Sequence, residues 1–282
     1  MGEFLPVNSG KETAKRAPWW KRHIILLAIV AAIALLLIDA FIIEPDNVQV
    51  NHYVVHGNVQ SPLKIADLSD LHTRGMGRPE RKVLDVLARE KPDVILITGD
   101  TIADPYGTYQ ECMTVYKRLS ELNPPMGVWF VHGNWENLEP VRHERQFYHD
   151  AGINLLVNQN HELRPDVWLV GLDDAVSGRP NLAEAMRGVP ANAYTIAMFH
   201  APIFFVATAG KVNLVFAGHT HGGQVRIPFV KPFWLPFGSG PFLEGWYEEK
   251  NSRMYVNRGV GMSDIPVRFL CRPEVAFVNL EP

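Results

Sequence analysis

The chain has 282 residues and a formal net charge of −3, with 27 Lys and Arg against 30 Asp and Glu. This length suits one domain with a large core and a small appendage. The near-neutral balance gives no basic face of the kind that general nucleic-acid binding needs, so no nucleic-acid partner is expected. Cys112 and Cys271 form no CxxC motif, which argues against a thiolate zinc site. We interpret both as buried small residues, with a disulfide as the alternative in an exported domain.

Residues 24–43 form an apolar run with one charge, Asp39. Twenty helical residues at about 1.5 Å each cross a hydrocarbon core of about 30 Å. We therefore predict a cytoplasmic basic tail over residues 1–23, a transmembrane anchor over 24–43, and a connector and first strand over 44–62. The alternatives are a cleaved signal peptide, for which no good small-x-small site follows the run, and a buried core helix, which would not be apolar on every face.

The charges beside this run predict its orientation. Lys21 and Arg22 are the last of five basic residues before the run, and no Lys or Arg follows it until Lys64. The positive-inside rule then puts the N-terminus in the cytoplasm. We expect a single-pass protein of the cytoplasmic (inner) membrane with an extracytoplasmic catalytic domain.

Beyond residue 63, short β-rich runs alternate with amphipathic segments. Helices are predicted over 78–90, 106–122 and 137–150. Strands are predicted over 63–67, 93–98, 127–132, 153–157, 167–171, 194–199, 213–217, 253–257 and 274–279. This alternation predicts an α/β domain over residues 63–282, and the short connections of the later strands indicate a second sheet.

Seven residues with metal-ligating side chains lie just beyond apolar runs. They are Asp70 and His72 in SDLH, Asp100 in TGD, Asn134 in GNWE, His200 in MFH, and His219 and His221 in GHTHGG. Loops beyond the carboxyl ends of strands are where α/β sheets bind their ligands. Carboxylate, amide and imidazole ligands together suit borderline divalent metals such as Mn, Fe or Zn. Two such ions about 3.5–4 Å apart can act on one phosphorus, so the pattern predicts a two-metal hydrolytic site.

The ordered pattern D-x-H, G-D, G-N-x-E, H and G-H-x-H resembles that of the calcineurin-like metallophosphoesterase superfamily. The segments IEPDNVQV, GHTHGGQVRIP and VNRGVGMSDIPVRFLCRPE resemble its membrane-anchored or exported bacterial phosphodiesterases. One such relative is a pyrophosphatase that cleaves UDP-2,3-diacylglucosamine. The resemblance implies a four-layer αββα sandwich with two metal ions at one edge of the paired sheets.

The resemblance also implies how the ligands divide. Asp70, His72 and His221 would bind one metal, Asn134, His200 and His219 the other, and Asp100 would bridge the two. The reaction implied is attack by a metal-bound hydroxide, with Asp100, Asn134 and His200 as catalytic residues.

Trp135 departs from the family pattern, which usually has His after the G-N pair. Indole offers only an N–H donor and cannot shuttle a proton near neutral pH. The enzyme would then need a good leaving group such as the phosphate of a pyrophosphate bond, use another acid, or be slow. Trp135 either stacks on the substrate or packs beneath its loop. Arg74, two residues after His72, either contacts a phosphate oxygen or is a solvated loop residue.

Residues 225–247 hold six Phe and Trp residues with prolines between them. The segment is either an apolar lip that meets acyl chains or a bilayer surface, or a loop that packs on its own domain. Together with the anchor it favours a phosphodiester or pyrophosphate of a lipid-linked substrate. UDP-sugars are cytoplasmic and conflict with the predicted topology, which an extracytoplasmic phospholipid, polyprenyl pyrophosphate or cell-wall phosphate fits better. The alternatives are a phosphomonoesterase or nucleotidase, and a catalytically weak metal-containing protein that binds lipid.

Overall fold

The structure of the protein, a computed structural model, describes residues 19–103, 109–138, 140–263 and 265–282. The chain divides between Ile38 and Asp39 into two compact units. Most of the predicted basic tail, residues 1–18, lies outside the described residues, as does the start of the predicted helix at 106–108.

The first unit contains helix α1, Trp19–Ile38. Its apolar side chains are exposed along the described length. Residues His23–Asp46 have the length and composition of a membrane span, with a mean hydropathy of 3.0, although a signal sequence near an N-terminus has the same character. The helix begins five residues before the predicted anchor, and the chain continues as a π-helical turn, Asp39–Ile43, in the second unit.

The second unit is built on two six-stranded sheets. The first sheet contains β1 Gln49–His56, β2 Leu63–Leu68, β3 Val94–Ile97, β4 Val128–Phe130, β5 Asn154–Leu155 and β12 Glu274–Glu281, in the order β1-β12-β2-β3-β4-β5. The second contains β6 Gln159–Arg164, β7 Val167–Gly171, β8 Tyr194–Met198, β9 Leu214–Ala217, β10 Gly245–Glu249 and β11 Ser252–Val256, in the order β10-β11-β9-β8-β7-β6. In each sheet the central strands are parallel, β2, β3 and β4 in one and β7, β8 and β9 in the other.

Three buried apolar clusters show that the domain has four layers. Helices α2 Arg78–Glu90, α3 Tyr109–Ser120 and α5 Glu144–Asp150 pack on the outer face of the first sheet. The short helices α6 Leu182–Ala185 and α7 Phe205–Thr208 pack on the outer face of the second. The middle cluster joins the two sheets face to face. The predicted αββα architecture is confirmed. Because both faces of the central strands are covered, all four residues of β3 are buried.

Several elements differ from the predictions, which did not include the short helices α6 and α7. The predicted helix 137–150 is two helices, α4 Asn134–Leu138 and α5, because Pro140 cannot continue a helical hydrogen-bond ladder. Strands β6 and β10 were not predicted. They are the two edges of the second sheet, and their polar sequences QNHELR and GWYEE lack the apolar run of a central strand. Cys112 and Cys271 are both buried and unpaired, which confirms their interpretation as small buried residues.

Candidate metal centre

The predicted ligands lie beyond the carboxyl ends of the parallel strands in both sheets. Asp70 follows β2, Asp100 follows β3, Asn134 begins α4 after β4, His200 follows β8 and His219 follows β9. The loops from the two sheets meet here, which confirms their predicted position at the strand ends. Six of the seven predicted ligands form two groups whose ligand atoms lie within 4.8 Å of one another.

The first group contains Asp70, His72 and His221. His72 Nε2 lies 3.2 Å from His221 Nε2, and Asp70 Oδ1 lies 3.3 Å from the same His221 atom. The other ring nitrogen of His72, Nδ1, lies 2.9 Å from the carbonyl oxygen of Ile102. The carboxylate of Asp70 accepts hydrogen bonds from the Ser69 hydroxyl and from the main-chain N–H of His219.

The second group contains Asp100, His200 and His219. His200 Nε2 lies 3.0 Å from Asp100 Oδ2 and 3.0 Å from His219 Nδ1. The second ring nitrogen of each imidazole faces a main-chain carbonyl oxygen. His200 Nδ1 lies 2.7 Å from that of Thr98, and His219 Nε2 lies 2.8 Å from that of Phe237. Asp100 Oδ2 also lies 3.8 Å from His72 Nε2, so this oxygen lies between the two groups.

These contacts fit two divalent cations. Where an outer imidazole nitrogen donates its proton to a carbonyl, the inner nitrogen carries a lone pair and is free to bind a metal. In the first group the inner nitrogens of His72 and His221 lie 3.2 Å apart, and in the second those of His200 and His219 lie 3.0 Å apart. Two neutral lone pairs this close in a buried site repel each other unless a cation binds both. Asn134 Oδ1 is buried without a hydrogen-bond partner. It lines a cavity of about 240 Å³ together with Asp100, His219 and His221.

The backbone is strained at five of the predicted ligands. They adopt positive φ angles of 47° at Asp70, 39° at His72, 51° at Asp100, 72° at His219 and 51° at His221. Positive φ is uncommon outside glycine and costs conformational free energy, so it persists only where the surrounding structure enforces it. In D-x-H both side chains join the first ligand group, whereas in H-x-H His221 joins the first group and His219 the second.

Glu136 holds two of these loops together. Its fully buried carboxylate accepts hydrogen bonds from the main-chain N–H groups of Asp100 at 2.9 Å, Thr101 at 2.8 Å, Ile102 at 3.3 Å and Gly133 at 2.8 Å. Through these bonds the acidic residue of GNWE orients its own loop and the loop of Asp100. Gly133 packs so closely on Asp100 that a Cβ there would overlap the carboxylate.

The charges of the site shift the pKa values of its members in opposite directions. Burial alone would raise the pKa of the Asp100 carboxyl, but His200 and His72 lower that pKa to about 2. Burial would lower the pKa of His200, but Asp100 and Asp70 raise it well above its usual range. Burial and the neighbouring His72 hold the pKa of His221 well below its usual range.

Sequence reasoning missed one supporting segment, residues 257–271. Val260 and Gly261 donate main-chain hydrogen bonds to the carbonyl oxygens of Ser69 and Asp70, at 3.1 and 2.7 Å. Arg268 is fully buried, and its guanidinium donates to the carbonyl oxygens of Arg258, Gly259, Gly261 and Cys271. The described residues of this segment thus pack on the Asp70 loop and belong to neither ligand group. Its glycines in NRGVG were the available signal, because Gly259 and Gly261 lie where a Cβ would overlap Asp70 and Leu71.

The two predicted substrate contacts lie beside the centre. Trp135 donates its main-chain N–H to Asp100 Oδ1 at 3.0 Å, and its ring meets His72 edge-on with centroids 6.2 Å apart. It lines both the small cavity and a cleft of about 930 Å³ that begins at His72. Arg74 lines that cleft as well. His132 belongs to neither ligand group. Its Nε2 lies 2.7 Å from Glu144 Oε1, and its Nδ1 lies 3.7 Å from Asp173 Oδ1.

A four-layer sandwich whose two sheets end in two adjoining groups of buried Asp and His ligands defines a dinuclear-metal hydrolase. The family model of calcineurin-like phosphoesterases matches residues 63–223, and the chain belongs to this family. It is thus a metal-dependent phosphoric ester hydrolase with two metal-binding groups, as predicted.

The chain is similar to two bacterial relatives and to one solved structure. The chain is 29% identical over 259 residues to the uncharacterized metallophosphoesterase YkuE of Bacillus subtilis, covering 85% of this chain and 87% of the relative. It is 29% identical over 228 residues to the phosphodiesterase YaeI of Escherichia coli, covering 78% and 83%. A crystal structure of a dimetal phosphatase from Danio rerio matches at 12% identity with a TM-score of 0.47, covering 73% and 90%.

Proposed function

We propose that the protein is a membrane-anchored phosphoesterase that hydrolyses the phosphodiester or pyrophosphate bond of a lipid-linked substrate. The observation that carries the hydrolytic part is the pair of convergent ligand groups with Asp100 Oδ2 between them. In this proposal Asp70, His72 and His221 would hold one ion, and Asn134, His200 and His219 would hold the other. Asp100, whose Oδ2 lies between the two groups, would serve both ions. When bound, Mn, Fe or Zn ions activate water and offset the charge of the phosphate.

Contacts with main-chain carbonyl oxygens fix the imidazole rings that would hold the two ions. The carbonyl oxygens of Ile102, Thr98 and Phe237 hold the rings of His72, His200 and His219. Outer contacts of this kind fix the tautomer and ring orientation of a ligand and typically change metal affinity or activity ~10–100-fold when lost. Asp100, Asn134 and His200 would thereby present one face of the centre to the phosphate.

The cavity at the centre favours a bond with a good leaving group. Apart from the candidate metal ligands, none of the described residues that line it is a general acid for neutral pH; they are Trp135, Val176, Trp234, Pro236, Phe237 and Ser263. Indole donates a hydrogen bond but does not deliver a proton. A leaving phosphate or phosphoester anion needs no proton to depart, which supports a pyrophosphate or an activated diester over an alkyl monoester. The phosphodiesterase name of the E. coli relative also supports a diester.

The large cleft supports a substrate with an apolar part. It extends from His72 past Leu71, Met76, Pro79 and Met262, with Arg74 as a positive charge on its wall. Pockets that take apolar ligands combine such walls with a few placed polar groups. We infer that Arg74 binds a non-reacting phosphate oxygen and that Trp135 packs on the substrate between the cleft and the metals.

The anchor and its flanking charges complete the proposal. Helix α1 is long and apolar enough to cross a bilayer. Basic residues lie before and within its first turn, and no Lys or Arg follows until Lys64. We propose a single-pass protein of the cytoplasmic membrane with its N-terminus in the cytoplasm and the catalytic domain outside. A C-terminal fusion to a reporter active only in the cytoplasm should be silent. An active reporter would contradict this orientation.

The proposed chemistry is tested with the full chain in detergent, stripped of metal and reloaded with Mn²⁺. Bis-p-nitrophenyl phosphate and the monoester p-nitrophenyl phosphate are assayed side by side, with Asp100→Asn as the site variant and the exposed Asp85→Asn as its matched control. We expect metal-dependent diester hydrolysis that Asp100→Asn abolishes and Asp85→Asn keeps. Faster monoester hydrolysis would favour a phosphomonoesterase, and bound metal without turnover would favour a lipid-binding protein.

The lipid-linked part of the proposal has its own assay. Vesicles that contain phospholipid or polyprenyl pyrophosphate are incubated with the Mn²⁺-loaded chain, and phosphate-containing products are followed by mass spectrometry. We expect cleavage of a lipid phosphoester that is faster than cleavage of its water-soluble headgroup analogue. The reverse order of rates would contradict a lipid-linked substrate while leaving the hydrolase intact.

A further inference from the structure

The exposed large apolar side chains of the second unit are concentrated in three segments. Among the described residues from Asp39 onward, three of these side chains lie in residues 41–43, six in residues 227–237 and two in residues 265–270. Only four others are exposed in this unit: Val54, Leu138, Ile203 and Val206. The surface of a soluble protein rarely carries so many exposed apolar side chains together unless a ligand, a partner protein or a membrane binds there.

Hydrogen bonds join the three segments into one surface, which we call the apolar rim. Arg268 donates its main-chain N–H to the carbonyl oxygen of Ala40 at 3.0 Å. Arg226 donates to the carbonyl oxygen of Phe269 at 2.8 Å, and the Gln224 side chain donates to that of Ile265 at 2.9 Å. Ala40 directly precedes residues 41–43, and Gln224 and Arg226 precede residues 227–237. The bonds therefore place both segments beside residues 265–270.

Buried Glu44 reinforces the first of these links. Its carboxylate accepts hydrogen bonds from the main-chain N–H groups of Leu270, at 2.8 Å, and Cys271. The chain that follows the π-helical turn is therefore fixed to the catalytic domain. Phe41, Ile42 and Ile43 nevertheless keep about half or more of their surface exposed, so this fixed segment presents apolar side chains outward.

The apolar rim lies at the metal end of the domain. Strand β1 is parallel to β12, and β12 is antiparallel to β2, so β1 begins beside the carboxyl end of β2, where Asp70 lies. On the other side, Trp234 and Phe237 line the small cavity together with Asp100. The carbonyl oxygen of Phe237 also faces His219 Nε2 at 2.8 Å. The rim thus borders the candidate metal centre at Trp234 and Phe237, and its other two segments lie toward the same end of the first sheet.

We propose that the apolar rim docks on a phospholipid bilayer, so that the metal centre opens toward the lipid headgroups. Chain continuity points to a bilayer, because residues 41–43 follow α1 after two residues and belong to the same candidate membrane span, His23–Asp46. Phe and Trp side chains separated by prolines suit the boundary between headgroups and acyl chains, where aromatic rings are enriched. The inference rests on the proposed anchoring and adds that the catalytic domain itself contacts the lipid.

The test uses the full chain in phosphatidylcholine vesicles with an environment-sensitive fluorophore on one introduced cysteine. Native Cys112 and Cys271 are buried, so Phe233→Cys, at a position 76% exposed, is the site that reacts. Val54→Cys is the matched control because Val54 is 53% exposed and apolar but lies near the end of β1, away from the metals. The vesicles carry a nitroxide on the fifth carbon of one acyl chain as a quencher.

We expect a blue shift and loss of emission for the label at 233, and neither for the label at 54. Chains that sediment with vesicles while both labels stay unquenched would overturn docking but leave the anchoring intact. A blue shift at 233 without quenching would also overturn it, because a protein partner or a second copy would then cover the rim. Chains that do not sediment with vesicles would contradict the anchoring and the docking together.

Discussion

The metal centre and the apolar rim lie at the same end of the first sheet but are built in opposite ways. The centre is buried, and each of its ligand loops is held by main-chain hydrogen bonds, as Glu136 shows for Asp100. The rim is held by a few main-chain bonds, while side chains such as Phe233 extend into solvent. The centre therefore tolerates little change of geometry, whereas the rim offers surface to a partner.

Loss of the bridging carboxylate should have the largest effect. Asp100→Asn removes the charge of the oxygen that lies between the two ligand groups. We expect activity on diester substrates to fall to the level of metal-free protein, because neither ion is then held at its place. Steady-state rates at saturating Mn²⁺ measure this effect, and residual activity close to wild type would mean that Asp100 does not bridge.

Loss of the Glu136 carboxylate, which binds the main chain of two loops, should have the next largest effect. In Glu136→Gln one acceptor oxygen becomes an NH₂ group that faces main-chain donors, so the loops of Asp100 and Gly133 lose part of their fixation. We expect metal affinity to fall ~10–100-fold, with activity partly restored by excess Mn²⁺. Exposed Glu121→Gln is the matched control. Activity that excess metal does not restore would contradict a positioning role.

Trp135 lies where the two regions meet, and its replacement tests the leaving-group argument. Trp135→His introduces a side chain that can protonate a leaving oxygen, a contribution typically worth ~10²–10⁴ in rate. We expect the gain for diesters with poor alkyl leaving groups and little change for p-nitrophenyl esters. Trp135→Phe serves as the control, since it keeps an aromatic ring without an acid. Equal effects of His and Phe on both ester types would contradict the argument.

The smallest effect is expected just outside the centre, at His132. Burial would lower its pKa, but Asp173 and Glu144 raise it from 6.5 to about 9. The ion pairs therefore add full stability below about pH 6.5, and this contribution is lost as pH rises through about 9. His132→Gln should lower the thermal midpoint more at pH 6 than at pH 10. At pH 6 we expect the free energy of unfolding to fall by about 1.5–3 kcal/mol.

Exposed His149→Gln is the control for this stability effect, because His149 is 83% exposed beside Asp150. Its thermal midpoint should match that of wild type at both pH values. A His132→Gln shift that is the same at pH 6 and pH 10 would contradict the ion-pair explanation and point to lost packing.

The convergence of the candidate ligands was predictable because each belongs to a short local motif after a buried strand. The α/β alternation was predictable for the same reason: central strands such as β3 are continuous apolar runs. The edge strands β6 and β10 were not, since one of their sides has no strand neighbour and their sequences are polar. The support that Arg268 gives to the Asp70 loop was not predictable either, because its partners are carbonyl oxygens, which carry no side-chain signature.

The central claim is that the two ligand groups hold two ions in one centre. The direct measurement is the number of Mn²⁺ ions bound per full-length chain, by titration of metal-stripped protein in detergent with elemental analysis of the product. The account predicts two ions for wild type and fewer for His200→Ala at the same Mn²⁺ concentration. One ion or none in folded wild type, or two ions in His200→Ala with unchanged affinity, would contradict it.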